Sequence, residues 1–328
     1  MSTNIIFAFD GFPDYLIETN ILSDPDIVFQ WSHGVDSEES RAVLRQADVL
    51  VIALQKITAE VMDAMPNCRM ISRLGVGVDN IDIPAATARG IWVANVPDYG
   101  VDEVATHAIA LVLVQLRGLH TLISTTRAGK FDGSAVRPIQ RSTTQTLGVM
   151  GYGRIGRALG HKGAGVGMRV IAYDPFLSDE QIRAAGAEPV SMDTLLRTSD
   201  FISLHLPLDV HTRHVINART LGLMKPSVYL VNTARGGLVD EAALLDAIRA
   251  GRIRGAALDV LSSEPPAADD AVLQALLKED RVLVTPHMAW YSEQAQVDMR
   301  SRAAEDVARV LRGERPRTPV NEVAARTS

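Results

Sequence analysis

The chain has 328 residues, 47% of them hydrophobic, which is enough to build two full cores and makes two domains the natural expectation. A net charge of −6 gives no general attraction to nucleic acid or to anionic lipid. The one cysteine, Cys68, excludes an internal disulfide and fits a reducing compartment. The start, MSTNIIFAFDG, shows neither a basic leader nor a long apolar stretch. The apolar run from Ala108 to Leu116 is interrupted by Gln115 and is too short to span a bilayer. A soluble cytoplasmic protein without a signal peptide is the expectation.

In chain order, NIIFAFD, DIVFQWS, DVLVIAL, RMISRLG and IWVANV predict strands, with helices such as 59–65 between them. Pro97-Asp98-Tyr99-Gly100 marks a boundary. A helix from about Val101 to Gly118 follows, apolar around most of its circumference, so it must be covered on several sides. It is either a linking helix in the core or, in addition, part of a subunit interface. The segment 128–145 is polar and poorly patterned, and is a candidate arm towards a second subunit. TLGVMG, RVIAYD, DFISLHLP, SVYLVNTA, GAALDV and RVLVTPH then predict a second series of strands, with a helix over 240–250 closed by Gly251. Continuous apolar runs of this length are how buried parallel strands look. A last helix, 292–312, is expected to return to the first domain and make it discontinuous. The fold class is therefore α/β, with domains at 1–100 plus 292–328 and at 101–291.

Gly151-Tyr152-Gly153-Arg154-Ile155-Gly156 lies between an apolar strand and a helix, the setting in which a glycine fingerprint holds a dinucleotide. Gly151 permits the turn, Gly153 lets backbone approach a pyrophosphate, and Gly156 lets helix and strand pack closely. The next strand ends in Asp174, placed to hydrogen-bond an adenosine ribose. A carboxylate there repels a 2′-phosphate, and Pro175-Phe176 supply no cation, so NAD rather than NADP is expected. Gly163 and Gly165 weaken the helix by roughly 1 kcal/mol each. Either it ends early or the glycines allow close packing.

Three distant residues carry the chemistry: Arg235 in VNTARGGLVD, Glu264 in ALDVLSSEPP and His287 in VTPHMAWYSE. An arginine grips a carboxylate with two parallel hydrogen bonds. A histidine passes a proton near neutral pH, and a neighbouring glutamate fixes its tautomer. Each has a plainer reading, as a turn arginine, a loop acid and a strand-end histidine. His205 in SLHLP reads as structural or as a neighbour of the cofactor. Asp79 and Asp82 have no ligand set around them that would suggest a metal.

These blocks, from LGVGVDNID through VNTARGGLVDEAAL and GAALDVLSSEPP to TPHMAWYSEQA, resemble the NAD-dependent D-2-hydroxyacid dehydrogenases over essentially the whole chain. The AWYSE run is most similar to the branch containing the C-terminal-binding protein corepressors and their bacterial dehydrogenase relatives. The resemblance implies two Rossmann-like domains with parallel sheets, the substrate-binding one flavodoxin-like, with the active site in the cleft between them. It implies NAD as cofactor, hydride transfer to C2 of a 2-keto acid to give a D-2-hydroxy acid, and a homodimer. By the same resemblance Arg235 holds the substrate, His287 is the proton donor and Glu264 its partner. Val76 and Gly77 form a second carboxylate clamp, Arg73 contacts substrate or instead pairs with a carboxylate, and Trp290 lines the pocket. Arg154 and Ile155 meet the pyrophosphate, Thr233, Ala234 and Asp259 surround the nicotinamide, and Pro207 and Thr212 lie near the adenosine. Met288 and Val76 depart from residues common in the family, so substrate identity does not transfer. An unphosphorylated keto acid is favoured, because few cations surround the presumed site and no length remains for a regulatory domain. The alternative is an NAD(H)-sensing interaction protein like the corepressors.

Overall fold

The computed structural model describes residues 2–9, 11 and 14–323. Asp10, the last residue of the expected NIIFAFD strand, lies outside the described residues, as do both ends of the chain at Met1 and 324–328. The chain divides into two compact units, Met1–Gly100 with Ser292–Ser328, and Val101–Tyr291.

The first unit runs β1 (Thr3–Phe7), α1 (Leu16–Ile21), β2 (Ile27–Trp31), α2 (Glu38–Leu44), β3 (Val49–Ile52), α3 (Ala59–Asp63), β4 (Met70–Arg73), α4 (Ile83–Ala88) and β5 (Trp92–Asn95). Its strands pair in parallel in the order β2-β1-β3-β4-β5, the flavodoxin-like doubly wound arrangement. Local chemistry starts the helices: the Ser37, Thr58 and Asp82 side chains accept backbone N–H groups at the first turns of α2, α3 and α4.

The second unit opens with α5 (Val101–Arg117), α6 (Leu119–Arg127), β6 (Thr146–Met150), α7 (Arg154–Gly165), β7 (Arg169–Tyr173) and α8 (Asp179–Ala184). It continues with β8 (Glu188–Pro189), α9 (Met192–Thr198), β9 (Phe201–Leu204), α10 (Ala218–Leu221), β10 (Tyr229–Asn232), α11 (Glu241–Arg249), β11 (Gly255–Leu258), α12 (Ala271–Leu276) and β12 (Val282–Val284). The chain then re-enters the first unit as α13 (Glu293–Leu311), which packs on α1, β4 and β5. Arg300 on α13 is buried and bonds both carboxylate oxygens of buried Glu18 on α1, at 2.8 and 2.6 Å.

The second sheet has the order β12-β11-β10-β9-β6-β7-β8, all parallel, with its switch point between β6 and β9. Residues alternate between two cores. Met150, Ile202, Leu204, Leu230 and Leu258 face one, with Leu195, Leu221, Leu244 and Leu273 from α9 to α12. Leu147, Val149, Phe201, Val231 and Ala257 face the other, with Ala105, Ala108, Val112 and Leu159 from α5 and α7. Burial of both faces is why these strands read as continuous apolar runs rather than alternating ones.

The helix predicted to reach Gly118 stops at Arg117. Gly118 adopts a left-handed conformation (φ 58°), and a further helix, α6, turns away at 63°. No single helix among the described residues is long and apolar enough to cross a membrane. The glycines of α7 do not end it early. A Cβ on Gly163 would lie 2.6 Å from Leu147 Cδ2, so this glycine lets the helix settle onto β6.

Candidate active site

The carboxyl ends of the strands in the second unit carry most of the residues singled out from the sequence. After β6, Gly151 takes φ 93°, and a Cβ there would meet the His205 carbonyl carbon at 2.6 Å. A Cβ on Gly156 would lie 2.1 Å from the Gly151 oxygen, so this helix turn closes against the loop only with glycine. Gly153 is different: it is exposed, with nothing among the described residues within 4 Å of a Cβ position, and it precedes α7 without a side-chain cap from them. The first N–H groups of α7, at Arg154 and Ile155, thus lack a capping side chain, which is the geometry that receives a phosphate.

At the end of β7, the Asp174 carboxylate is fixed by N–H groups of Tyr152 (2.8 Å) and Phe176 (2.9 Å). An ionised carboxylate has acceptor sites beyond these two for ribose hydroxyls. After β10, Thr233 Oγ1 is buried and has no hydrogen-bond partner among the described residues. An open glycine cradle, an uncapped helix start, a fixed acid and an orphaned buried hydroxyl together fit a dinucleotide. Burial pushes the His205 imidazole, bonded to Ser203 at 2.8 Å, down to about 4.

The three chemical residues follow β10, β11 and β12, which are adjacent strands. Asn232, buried at the end of β10, accepts from Ala234 N–H (3.0 Å) and donates to the Arg235 carbonyl (2.8 Å), bracing the turn that carries Arg235. The Arg235 guanidinium donates to the Ala234 carbonyl at 2.7 Å. Gly236 presses this loop onto the next one: a Cβ there would lie 2.0 Å from the Leu261 carbonyl carbon. That second loop holds Glu264, whose Oε1 accepts from Leu261 N–H (2.8 Å) while Oε2 lies 2.5 Å from His287 Nδ1. With Nδ1 engaged by Glu264, Nε2 is the ring nitrogen left for a reactant. His287 sits at φ 53°, a left-handed position uncommon for a side chain of this size.

The Asp259 carboxylate, read from the sequence as a nicotinamide neighbour, is buried and engaged with the His287 turn through Met288 and Ala289 N–H groups. Thr212, half-buried, closes its own loop by donating to the carbonyl of exposed Pro207 at 2.7 Å. Met288 and Tyr291 are exposed beside His287, and Trp290 stands edge-on to Tyr291 with ring centroids 5.4 Å apart. Arg73, the last residue of β4, and Val76 and Gly77 just beyond it belong to the other unit. There the Arg73 side chain is buried beneath Gly75 and donates to the Leu74 carbonyl, while Val76 is exposed and its carbonyl accepts from Asn95 at 2.6 Å. Reading the sequence missed Asn232 and Glu241. The latter accepts from Ser262 N–H at 2.8 Å, and burial raises its carboxyl above the usual range.

Residues 109–289 match the family profile described as D-isomer specific 2-hydroxyacid dehydrogenase, NAD binding domain. The chain belongs to this family. Among its 2-hydroxyacid dehydrogenase relatives, the D-3-phosphoglycerate dehydrogenase of Methanocaldococcus jannaschii is 39% identical over 290 residues, covering 88% of this chain and 54% of that protein. The chain thus spans about half the length of the phosphoglycerate dehydrogenases it matches. The hydroxypyruvate reductase of Thermotoga maritima is 36% identical over 279 residues, covering 85% of this chain and 89% of that protein. The crystal structure of D-lactate dehydrogenase from Aquifex aeolicus complexed with NAD and lactic acid superposes with a TM-score of 0.89 at 29% identity, covering 98% of this chain and 100% of that one. Family membership and NAD as cofactor agree with the sequence reading. The corepressor branch is not represented among these relatives, and they do not favour the NAD(H)-sensing alternative.

Proposed function

We propose that this family member is an NAD-dependent dehydrogenase interconverting an unphosphorylated 2-keto acid and its D-2-hydroxy acid. NADH, when bound, supplies the hydride that C2 accepts. His287 gives a proton to the carbonyl oxygen from Nε2, so that the keto group becomes a hydroxyl, and takes it back in oxidation. Glu264 holds Nδ1 and keeps the ring oriented. Arg235 binds the carboxylate and polarises the carbonyl. Gly151, Gly153, Arg154, Ile155 and Gly156 seat the pyrophosphate, and Asp174 selects the unphosphorylated ribose. The observation that carries the reading is the 2.5 Å His287–Glu264 contact on a loop tied, through Gly236, to the turn of Arg235.

The apolar Met288, Trp290 and Tyr291 beside His287 support a substrate without a phosphate. The phosphoglycerate dehydrogenase relatives make the 3-phosphate of hydroxypyruvate the necessary competitor in the test. NADH oxidation is followed with glyoxylate, hydroxypyruvate, its 3-phosphate, pyruvate, and branched, aromatic and thioether keto acids, each repeated with NADPH. The proposal expects turnover of an unphosphorylated acid with NADH, and is overturned by preference for the phosphate ester or by no turnover with any member. The proposal extends to a cytoplasmic homodimer. The support for the dimer is α6, which buries no residue and exposes Leu119 and Ile123, with exposed Phe131 just after it. Sedimentation at monomer mass would refute the dimer.

A further inference from the structure

Behind the His287 turn lies a chain of polar groups that neither the fingerprint nor the three chemical residues account for. Asp259, 2% exposed at the end of β11, receives a hydrogen bond from the Thr285 hydroxyl at 2.5 Å on Oδ1. The same carboxylate accepts from Met288 N–H (3.0 Å) and Ala289 N–H (2.9 Å), and the Asp259 carbonyl accepts from His287 N–H (2.8 Å). One residue therefore ties down His287 and both residues that follow it. His107, reaching in from α5, places Nε2 3.1 Å from Thr285 Oγ1 and 3.6 Å from Asp259 Oδ1.

The donor count assigns the roles. The Thr285 proton goes to the carboxylate, so its oxygen is left as an acceptor towards His107, and His107 must carry a hydrogen on Nε2. Hydrogen bonds in series polarise one another, and a buried carboxylate depends on every donor it has. Remove the hydroxyl or the imidazole and Asp259 loses part of its compensation. The turn that holds His287 at a positive φ then loses its anchor.

We propose that His107 and Thr285 are positioning residues for the proposed dehydrogenase reaction, acting through Asp259 to hold His287 with its Nδ1 on Glu264. This inference rests on the proposed role of His287, and its test is built to fail separately from it. Ring 15N signals of His287, recorded without turnover, report which nitrogen carries the proton in the parent, Thr285→Val, Thr285→Ser, His107→Phe and His107→Gln. The expected result is one Nδ1–H tautomer in the parent and in the Ser and Gln variants, which keep a hydroxyl or a side-chain N–H donor. The Val and Phe variants are expected to show mixed tautomers. With the best keto acid, kcat should fall about 10–100-fold in Val and Phe, as a displacement of about 1 Å costs, while NADH affinity holds and Ser and Gln recover most of the rate. Equal tautomers in all five proteins overturn the inference even if the parent is inactive. Equal losses in Val and Ser, or losses that follow the melting temperature alone, overturn it as well.

Discussion

Replacing Gly236 by alanine tests whether the loops of Arg235 and Glu264 work as one assembly. The added methyl would lie 2.0 Å from the Leu261 carbonyl carbon, 2.1 Å from its oxygen and 2.3 Å from Ser262 N. All three are backbone atoms, so no flexible side chain can swing aside. Ordinary carbon contacts are about 3.5–4.0 Å, so the loops must part by about 1.5 Å where they touch. Overpacking of this kind costs about 1–3 kcal/mol, which in a unit of this size lowers the melting temperature by about 2–12 °C. The catalytic effect should be larger, since misplacement by about 1 Å costs about 100-fold in rate. The pyrophosphate seat on Gly151 to Gly156 is on a different loop, so NADH affinity should fall less than kcat/KM, with any loss coming through Thr233 on the Gly236 loop. kcat/KM from NADH absorbance, NADH affinity from fluorescence and a thermal melt would be measured on one preparation. A Gly236→Ala protein with kcat/KM within threefold of the parent would refute the reasoning.

Asp174→Ser should lower kcat/KM for NADH about 10–100-fold and raise that for NADPH, through loss of a ribose acceptor and of charge repulsion; an unchanged preference would remove Asp174 from the cofactor site. Arg300→Met strands the buried Glu18 carboxylate and should cost about 3–5 kcal/mol in urea unfolding, with Glu18→Gln/Arg300→Met recovering much of it; a cost below 1 kcal/mol in the single variant would show the pair to be incidental. For His205, burial puts the folded value at about 4 against an ordinary 6.5. The unfolded chain therefore takes up the extra proton first: stability is complete above about pH 6.5 and falls, by up to about 3 kcal/mol, as pH drops towards 4. Urea midpoints at pH 7 and 4.5 should converge in His205→Gln, and parallel behaviour of parent and variant would contradict the assignment.

Much of the second unit was legible because its central strands bury both faces and so print apolar runs, as in Leu230-Val231 or Val170-Ile171-Ala172. β8 was not, because two residues, Glu188 and Pro189, at a sheet edge leave no pattern. α6 was missed because LHTLISTTR is short, and its Leu119, Leu122 and Ile123 stripe is set among serine and threonines that favour helix only weakly. In the candidate site, Arg235 and His287 stand out as polar residues just past apolar strands, whereas Glu264, six residues past β11, reads as an ordinary loop acid until the family spacing singles it out. Their supports do not stand out. His107 and Thr285 are 178 residues apart, and His107 sits beside Thr106 in a helix that also carries Asp102, Glu103 and Gln115, so nothing marks it out. The contact of Gly236 with Leu261 joins loops that only the parallel order of β10 and β11 makes neighbours.

The most direct test of the central claim is kcat/KM for the best 2-keto acid in the parent, His287→Ala and Glu264→Gln, with NADH affinity measured beside it. The account predicts a loss of about 100–10,000-fold in His287→Ala, the usual worth of a general acid, and a smaller loss in Glu264→Gln, with NADH bound as tightly as before. A His287→Ala protein that reduces the acid within tenfold of the parent rate would contradict it.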